Sequence, residues 1–207
     1  MPQIQNKTQK PDAIILSGGM LGRKTLFPKA LIEHDGKTIL EHQIEYLGDL
    51  TGKIVIACKP GESNLIKKHL GEMTDVEYSE DSTPPLGTAG AVKKALQKTT
   101  SERILILNVD NLTDVDLAAL INFGPDTVCV ANPRLDFGVI KANQANHGVL
   151  EFREKPLIKE LWVNCGLYLL NRQTVLDKLP DLGSLERDAF PFMKLKAFKH
   201  LGLFKHF

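Results

Sequence analysis

Apolar and polar residues follow one another along this chain in blocks rather than singly. Ala13-Ile14-Ile15-Leu16 is a continuous apolar run followed by a glycine loop, the mark of a strand buried on both faces. Thr38 to Leu50 carries Leu40, Ile44 and Leu47 at the spacing of one helix face. Lys53 to Cys58 predicts a second strand, Ser63 to Leu70 a second helix, and Val76 to Ser79 a short third strand. Thr88 is read as the cap of a helix whose inward face is Ala89, Val92 and Leu96. Ile104 to Val109 is the most apolar run and is expected at the centre of the sheet. Val115 to Phe123 follows as a helix with Leu117, Leu120 and Ile121 inward, then Thr127 to Ala131 as another buried strand. Strands separated by helix-length segments predict a parallel, doubly wound α/β sheet.

The rhythm changes after Pro133. Gly138 to Ala142 and Val149 to Arg153 predict two strands joined by a polar turn at Asn143 to Gly148, a small β appendage. Val163 to Leu170 returns to an apolar run, followed by helices near Thr174 to Leu179 and Leu185 to Leu195, and the chain stops within a final strand. No repeat or low-complexity linker interrupts it. The expected organisation is a single domain over 1–207, with a first part at about 12–132 and a second at about 133–207.

Composition narrows the field mainly by exclusion. With 207 residues, 43% of them hydrophobic, the chain can bury a core without disulfide or metal staples. A formal net charge of +1, with basic residues scattered, points to neither a nucleic-acid nor a membrane partner. The three cysteines, Cys58, Cys129 and Cys165, are too far apart for a disulfide framework or a zinc pattern. Buried reduced thiols instead favour the cytoplasm. Met1 to Asp12 is polar, so no signal peptide is expected, and no apolar stretch reaches membrane-spanning length.

The candidate chemistry lies between these elements. Gly18-Gly19-Met20-Leu21-Gly22 follows the first strand, where an α/β sheet exposes free backbone N–H groups to phosphate oxygens. Taken alone, a tight turn explains it equally well, and it matches neither the Walker nor the GxGxxG pattern. Arg23, Lys24 and Lys29 follow closely, three cations that could offset triphosphate charge or simply line a solvated surface. Asp110 ends the central apolar strand, where a carboxylate can hold a hard cation such as Mg²⁺; a helix cap is the competing use, for which Asp114 or Asp116 would serve. Gly87-Thr88-Ala89-Gly90 opens a helix with small residues that suit either a flat base or close packing. Glu154-Lys155-Pro156 and Asn164-Cys165-Gly166 bring a carboxylate, an ammonium and an amide, which together suit a polyhydroxylated, phosphorylated ligand, although singly each has a surface explanation.

In order and spacing these segments resemble the sugar-phosphate nucleotidyltransferases, which make nucleotide-diphosphate sugars. The resemblance runs through Ile14 to Gly19, Phe27 to Leu31, Gly36 to His42, Leu86 to Ala91 and Leu107 to Leu117. It continues through Phe137 to Val139, Phe152 to Pro156 and Val163 to Leu170, almost the whole chain. It implies a Rossmann-like, mostly parallel sheet and transfer of a nucleotidyl group from a nucleoside triphosphate to a sugar 1-phosphate. Leu16, Ser17, Gly18, Gly19, Gly87, Thr88, Ala89, Gly90 and Asn108 would then hold the nucleotide. Arg23, Lys29 and Asp110 would be catalytic, Asp110 also as the Mg²⁺ ligand. Gly138, Glu154, Lys155, Asn164 and Gly166 would hold the sugar phosphate. The chain departs from the family pattern in three respects. The stretch from Gly18 to Lys29 is shortened, and Pro84 and Val109 replace a base-contacting polar residue and a glycine. The third is that the chain ends at Phe207, before the family's second metal-binding aspartate. A relative that binds nucleotide without turnover is the alternative expectation, and self-association is left open.

Overall fold

The computed structural model describes residues 9–18, 28–71, 73 and 75–207. In chain order the strands and helices begin with β1 (Asp12–Leu16), a short hairpin of β2 (Glu33–His34) and β3 (Lys37–Thr38), and α1 (Ile39–Leu47). Next come β4 (Ile54–Cys58), α2 (Glu62–Leu70), β5 (Val76–Glu80), α3 (Gly87–Ala95), β6 (Arg103–Asn108), β7 (Asn111–Thr113), α4 (Leu117–Phe123) and β8 (Thr127–Ala131). The second part supplies β9 (Val139–Ala142), β10 (Val149–Arg153), β11 (Val163–Asn171), α5 (Arg172–Lys178), β12 (Lys196–His200) and β13 (Phe204–His206).

Seven strands form one sheet in the order β12-β8-β11-β6-β1-β4-β5, with β6 at its centre as its apolar run predicts. All pairs are parallel except the two made by β11, which runs against both β6 and β8. Because β11 is reversed, its first residues lie at the edge where β1, β6 and β8 end. Both faces are covered. Ala13 and Ile15 pack with Leu40, Leu47, Ile66, Leu117 and Leu120 on one side; Ile14 and Leu16 pack with Ala89, Val92, Leu96, Val175 and Leu179 on the other. An unbroken apolar strand has no solvent face, so layering follows directly from its composition. The β9–β10 hairpin stands apart as its own two-stranded sheet. Among the described residues no helix is long and apolar enough to cross a membrane.

Helix ends differ from expectation where side chains do other work. Thr38 does cap α1: it accepts from the Glu41 N–H while Glu41 accepts from the Thr38 N–H, a reciprocal capping box. Thr88 does not cap α3; its hydroxyl accepts instead from the Leu185 N–H at 2.9 Å. The donors at that end are taken by the Gly183 carbonyl, which accepts from Ala89 N–H, and by the Asp81 carboxylate, which accepts from Leu86 N–H. The helix expected over Leu185 to Leu195 is a π-turn at Leu185–Ala189 followed by a 3₁₀ turn at Phe190–Phe192 carrying Pro191. A proline there removes the donor a longer helix needs. Asp116 caps α4 by accepting from Ala119 N–H, so that helix starts at Leu117 rather than Val115, and Ile121 is only half-buried.

Gly87 is a position that geometry forces. Its φ is +76°, and a methyl group there would run into the Gly183 carbonyl, which also bonds the helix start. Gly87→Ala is expected to cost about 2–3 kcal/mol, or a melting temperature roughly 5–10 °C lower. Gly61→Ala, at φ +81° but facing open space, should cost only about 1 kcal/mol of backbone strain. Equal losses at the two sites would contradict the close-approach explanation. The thiols give a second check. Burial pushes Cys58 and Cys165 up to about 12 and Cys129 upward as well, and all three are unpaired. Because the thiolate is the nucleophile, native protein at pH 8 should react slowly with Ellman's reagent and fully once unfolded. Rapid labelling of folded protein would show that these strands open.

Candidate active site

Two parallel strands end side by side at the carboxyl edge of the sheet. β1 delivers Leu16, Ser17 and Gly18, and β6 delivers Asn108, Val109 and Asp110; the two runs are tied by a bond from Val109 N–H to the Leu16 carbonyl at 3.0 Å. Ser17 is 1% exposed, and its hydroxyl has no partner among the described residues. Gly19, Arg23 and the rest of the glycine loop through Phe27 lie outside the described residues.

The turn after β6 is held from four directions. The buried amide of Gln43, on α1, donates to the carbonyls of Asn108 and Asn111. Asn111 donates through Nδ2 to the Cys165 carbonyl at 3.2 Å. Phe207 N–H donates to the Asp110 carbonyl at 2.9 Å, and β13 pairs with β7 immediately beyond it. Held this way, Asp110 meets Lys29: Nζ lies 2.8 Å from Oδ2, with the side chains only 11% and 18% exposed. Lys29 is aimed by its neighbours. Pro28 sets an extended backbone, and Ala30 and Leu31 are buried, which anchors the 3₁₀ turn Lys29–Leu31 that carries it. Asp110 is not a helix cap, since Asp116 fills that role. Its other oxygen, Oδ1, lies 4.0 Å from His206 Nδ1.

The small residues at α3 are explained by packing. Methyl groups at Gly87 and Gly90 would meet the Gly183 and Asp181 carbonyls, and Ala89 is wholly buried in the core. Gly166, at φ +68°, lies so close to the β6–β7 turn that a methyl would overlap Asn111 Nδ2 and stand 2.8 Å from Asn108 Nδ2. It sits in the bulge of β11, where register with β8 shifts between Asn164 and Tyr168. Gly138, at the start of the hairpin, faces Glu154: a methyl there would lie 2.9 Å from Glu154 Oε2. Lys155 follows at φ +41°, its carbonyl accepting from Arg134. Glu154 and Lys155 are exposed, and among the described residues no hydrogen bond or ion pair joins either to Lys29 or Asp110. Lys29, Asp110, Asn108 and Gly166 are therefore brought together, while the hairpin residues stand apart.

Several members of this site escape pattern reading. Gln43 lies three residues after Leu40 and four before Leu47, so a buried amide on the apolar face of α1 is the available signal. Asn111 and His206 give no such local cue, because their partners are distant in sequence, and nothing in the sequence pairs Tyr168 with Glu186 eighteen residues on.

The arrangement is a carboxylate-and-lysine pair at the end of a central parallel strand, next to the strand that ends at Leu16, which suits phosphoryl chemistry. A family model described as nucleotidyl transferase matches residues 12–195. The chain is 31% identical over 193 residues to a D-glycero-alpha-D-manno-heptose 1-phosphate guanylyltransferase of Aneurinibacillus thermoaerophilus, covering 86% of this chain and 82% of that one. It is also 31% identical over 200 residues to the mannose-1-phosphate guanylyltransferase catalytic subunit beta of Dictyostelium discoideum, covering 87% of this chain but 55% of that one. HddC from Yersinia pseudotuberculosis, solved with GMP-PN, shares the fold at a TM-score of 0.70 and 23% identity, over 95% of this chain and 93% of that one. The inositol-1-phosphate CTP transferase of T. maritima shares it at 0.67 and 16% identity, over 97% and 89%. Together with the matched model, these place the chain in the sugar-phosphate nucleotidyltransferase family.

Proposed function

We propose that this chain transfers a nucleotidyl group from a nucleoside triphosphate to a sugar 1-phosphate. The observation that carries this reading is the Lys29–Asp110 pair at the carboxyl end of β6, the strand that lies between β1 and β11. A phosphate oxygen of the sugar 1-phosphate attacks the α-phosphorus in line; the new O–P bond forms as the α–β bridging bond breaks, and pyrophosphate leaves with the electron pair. Charge accumulates on non-bridging oxygens, so positioned cations rather than covalent groups lower the barrier. Lys29 holds its ammonium at that place, and Arg23 would add a second cation. Leu16 to Gly19, Gly87 to Gly90 and Asn108 would border the nucleotide in the first part of the chain. Gly138, Glu154, Lys155, Asn164 and Gly166 would border the sugar phosphate in the second.

The donor set fits a hard divalent cation. Lys29 bonds Oδ2 of Asp110 while Oδ1 faces the His206 imidazole at 4.0 Å. Among the described residues no group of three or more metal-binding side chains occurs. One carboxylate with few companions suits Mg²⁺, which takes its remaining ligands from phosphates and water. Asp110 would hold the cation, which would supply charge neutralisation on the phosphate oxygens. Three unpaired buried thiols fit a reducing compartment such as the cytoplasm.

Purified protein with Mg²⁺ is expected to release pyrophosphate from a triphosphate and sugar 1-phosphate pair. GTP with mannose or heptose 1-phosphate leads the panel, because relatives at 31% identity carry those activities in their names. Asp110→Asn and Lys29→Ala should each lower kcat by about 100-fold or more without a matching loss of folding. No release from any pair across the panel would sink this reading.

A further inference from the structure

A chain of hydrogen bonds leads away from Asn164 into the core, and the nucleotidyl-transfer chemistry does not account for it. Asn164 donates through Nδ2 to the Tyr168 hydroxyl at 2.6 Å, and Tyr168 donates in turn to Glu186 Oε1 at 3.1 Å. The other Glu186 oxygen accepts from the Ser184 hydroxyl at 2.8 Å. Directions along this chain are fixed. A carboxylate only accepts, so the Tyr168 proton points to Glu186 and its lone pair to Asn164. Gly166 N–H donates to Asn164 Oδ1 at 2.9 Å, so a reversed amide would set two donors face to face. Both ends of the amide are held, and the second N–H has no partner among the described residues, on an exposed residue at the start of β11.

Two further features argue that this arrangement is specific. In a regular strand, residues four apart are about 13 Å from each other along the chain. The bulge centred on left-handed Gly166 shortens that path, which lets the Asn164 amide reach the Tyr168 hydroxyl. Tyr168 itself is fully buried against Phe190, where a phenylalanine would pack as well. A hydroxyl in such a place is destabilising unless bonded, and both of its bonds serve Asn164. The segment bearing Glu186 is clamped to the start of α3, through Leu185 N–H to Thr88 and Ala89 N–H to Gly183.

We propose that Tyr168 and Glu186 are positioning residues: they orient the Asn164 amide so that its free N–H meets the phosphorylated sugar. This inference rests on the proposed nucleotidyl-transfer reading for the identity of the ligand, but not for the orientation of the amide. The test uses the full chain and reads both parts. In ¹⁵N-resolved spectra the Asn164 side-chain amide, assigned with Asn164→Ala, should show one downfield proton. That signature should collapse in Tyr168→Phe and Glu186→Ala and survive in Glu186→Gln, whose side-chain carbonyl still accepts. In pyrophosphate-release assays Tyr168→Phe should raise KM for the sugar 1-phosphate about 5- to 10-fold, the worth of one bond, and leave KM for the triphosphate unchanged. In an Asn164→Ala background Tyr168→Phe should add nothing further. An unchanged amide in Tyr168→Phe, equal shifts in both KM values, or additive losses would each overturn the proposal. An inactive wild-type protein that keeps the amide signature would overturn the transfer reading, and with it the assignment of the free N–H to a sugar phosphate.

Discussion

The site depends on one turn that must be both buried and charged. Asn108 to Asn111 ends the central strand, where backbone groups leave the sheet ladder before reaching water. An unpaired buried backbone group costs about 1–3 kcal/mol, so an unsupported turn here would rearrange. Gln43 supplies the partner for the Asn108 and Asn111 carbonyls and Phe207 N–H the one for Asp110, while the Asn111 side chain ties the turn to the Cys165 carbonyl of β11. Only with the backbone fixed does the Asp110 carboxylate have a defined direction. Much else follows from that turn. β7 leaves it in register with β13, Gly166 must be glycine because two asparagines approach it, and the bulge at Gly166 brings Asn164 to Tyr168.

The layered frame was readable from the chain because it rests on local rules. Continuous apolar runs at β1, β4 and β6 could lie only inside a two-sided sheet, and periodic Leu40, Ile44 and Leu47 could make only one helix face. The antiparallel insertion of β11 was not readable, since an apolar run does not announce its direction. Nor was the pairing of β12 with β8, whose residues alternate Lys196, Ala197, Phe198, Lys199 and His200 at the edge of the sheet. Thr88 misled for a physical reason. A threonine before a helix-forming stretch usually caps it, but here the helix already begins at Gly87, so Thr88 lies in its first turn and its hydroxyl accepts from Leu185 N–H instead.

The part of the site that carries charge was visible, and the part that aims it was not. Lys29 and Asp110 stand in segments whose neighbours mark a strand end and a proline-led turn. Gln43 and Asn111 act through partners 68 and 54 residues away, and Tyr168 reaches Asn164 only across a bulge that the residue pattern does not announce. A polar atom on an apolar face is the trace such residues leave, and that trace is faint when the residue is a tyrosine or an asparagine at a strand end.

Glycines carry the opposite ambiguity. Gly87, Gly90 and Gly166 suit a ligand lying against the backbone, yet each is already required by a carbonyl or an amide of the protein itself. Those contacts account for the three glycines by the packing of the protein itself. Close approach at Gly87 and Gly90 is what brings the Ser184–Glu186 segment against α3, and close approach at Gly166 is what brings Asn164 to Tyr168. Small residues here thus act indirectly, by letting two backbones come near enough for polar side chains on one to direct those on the other.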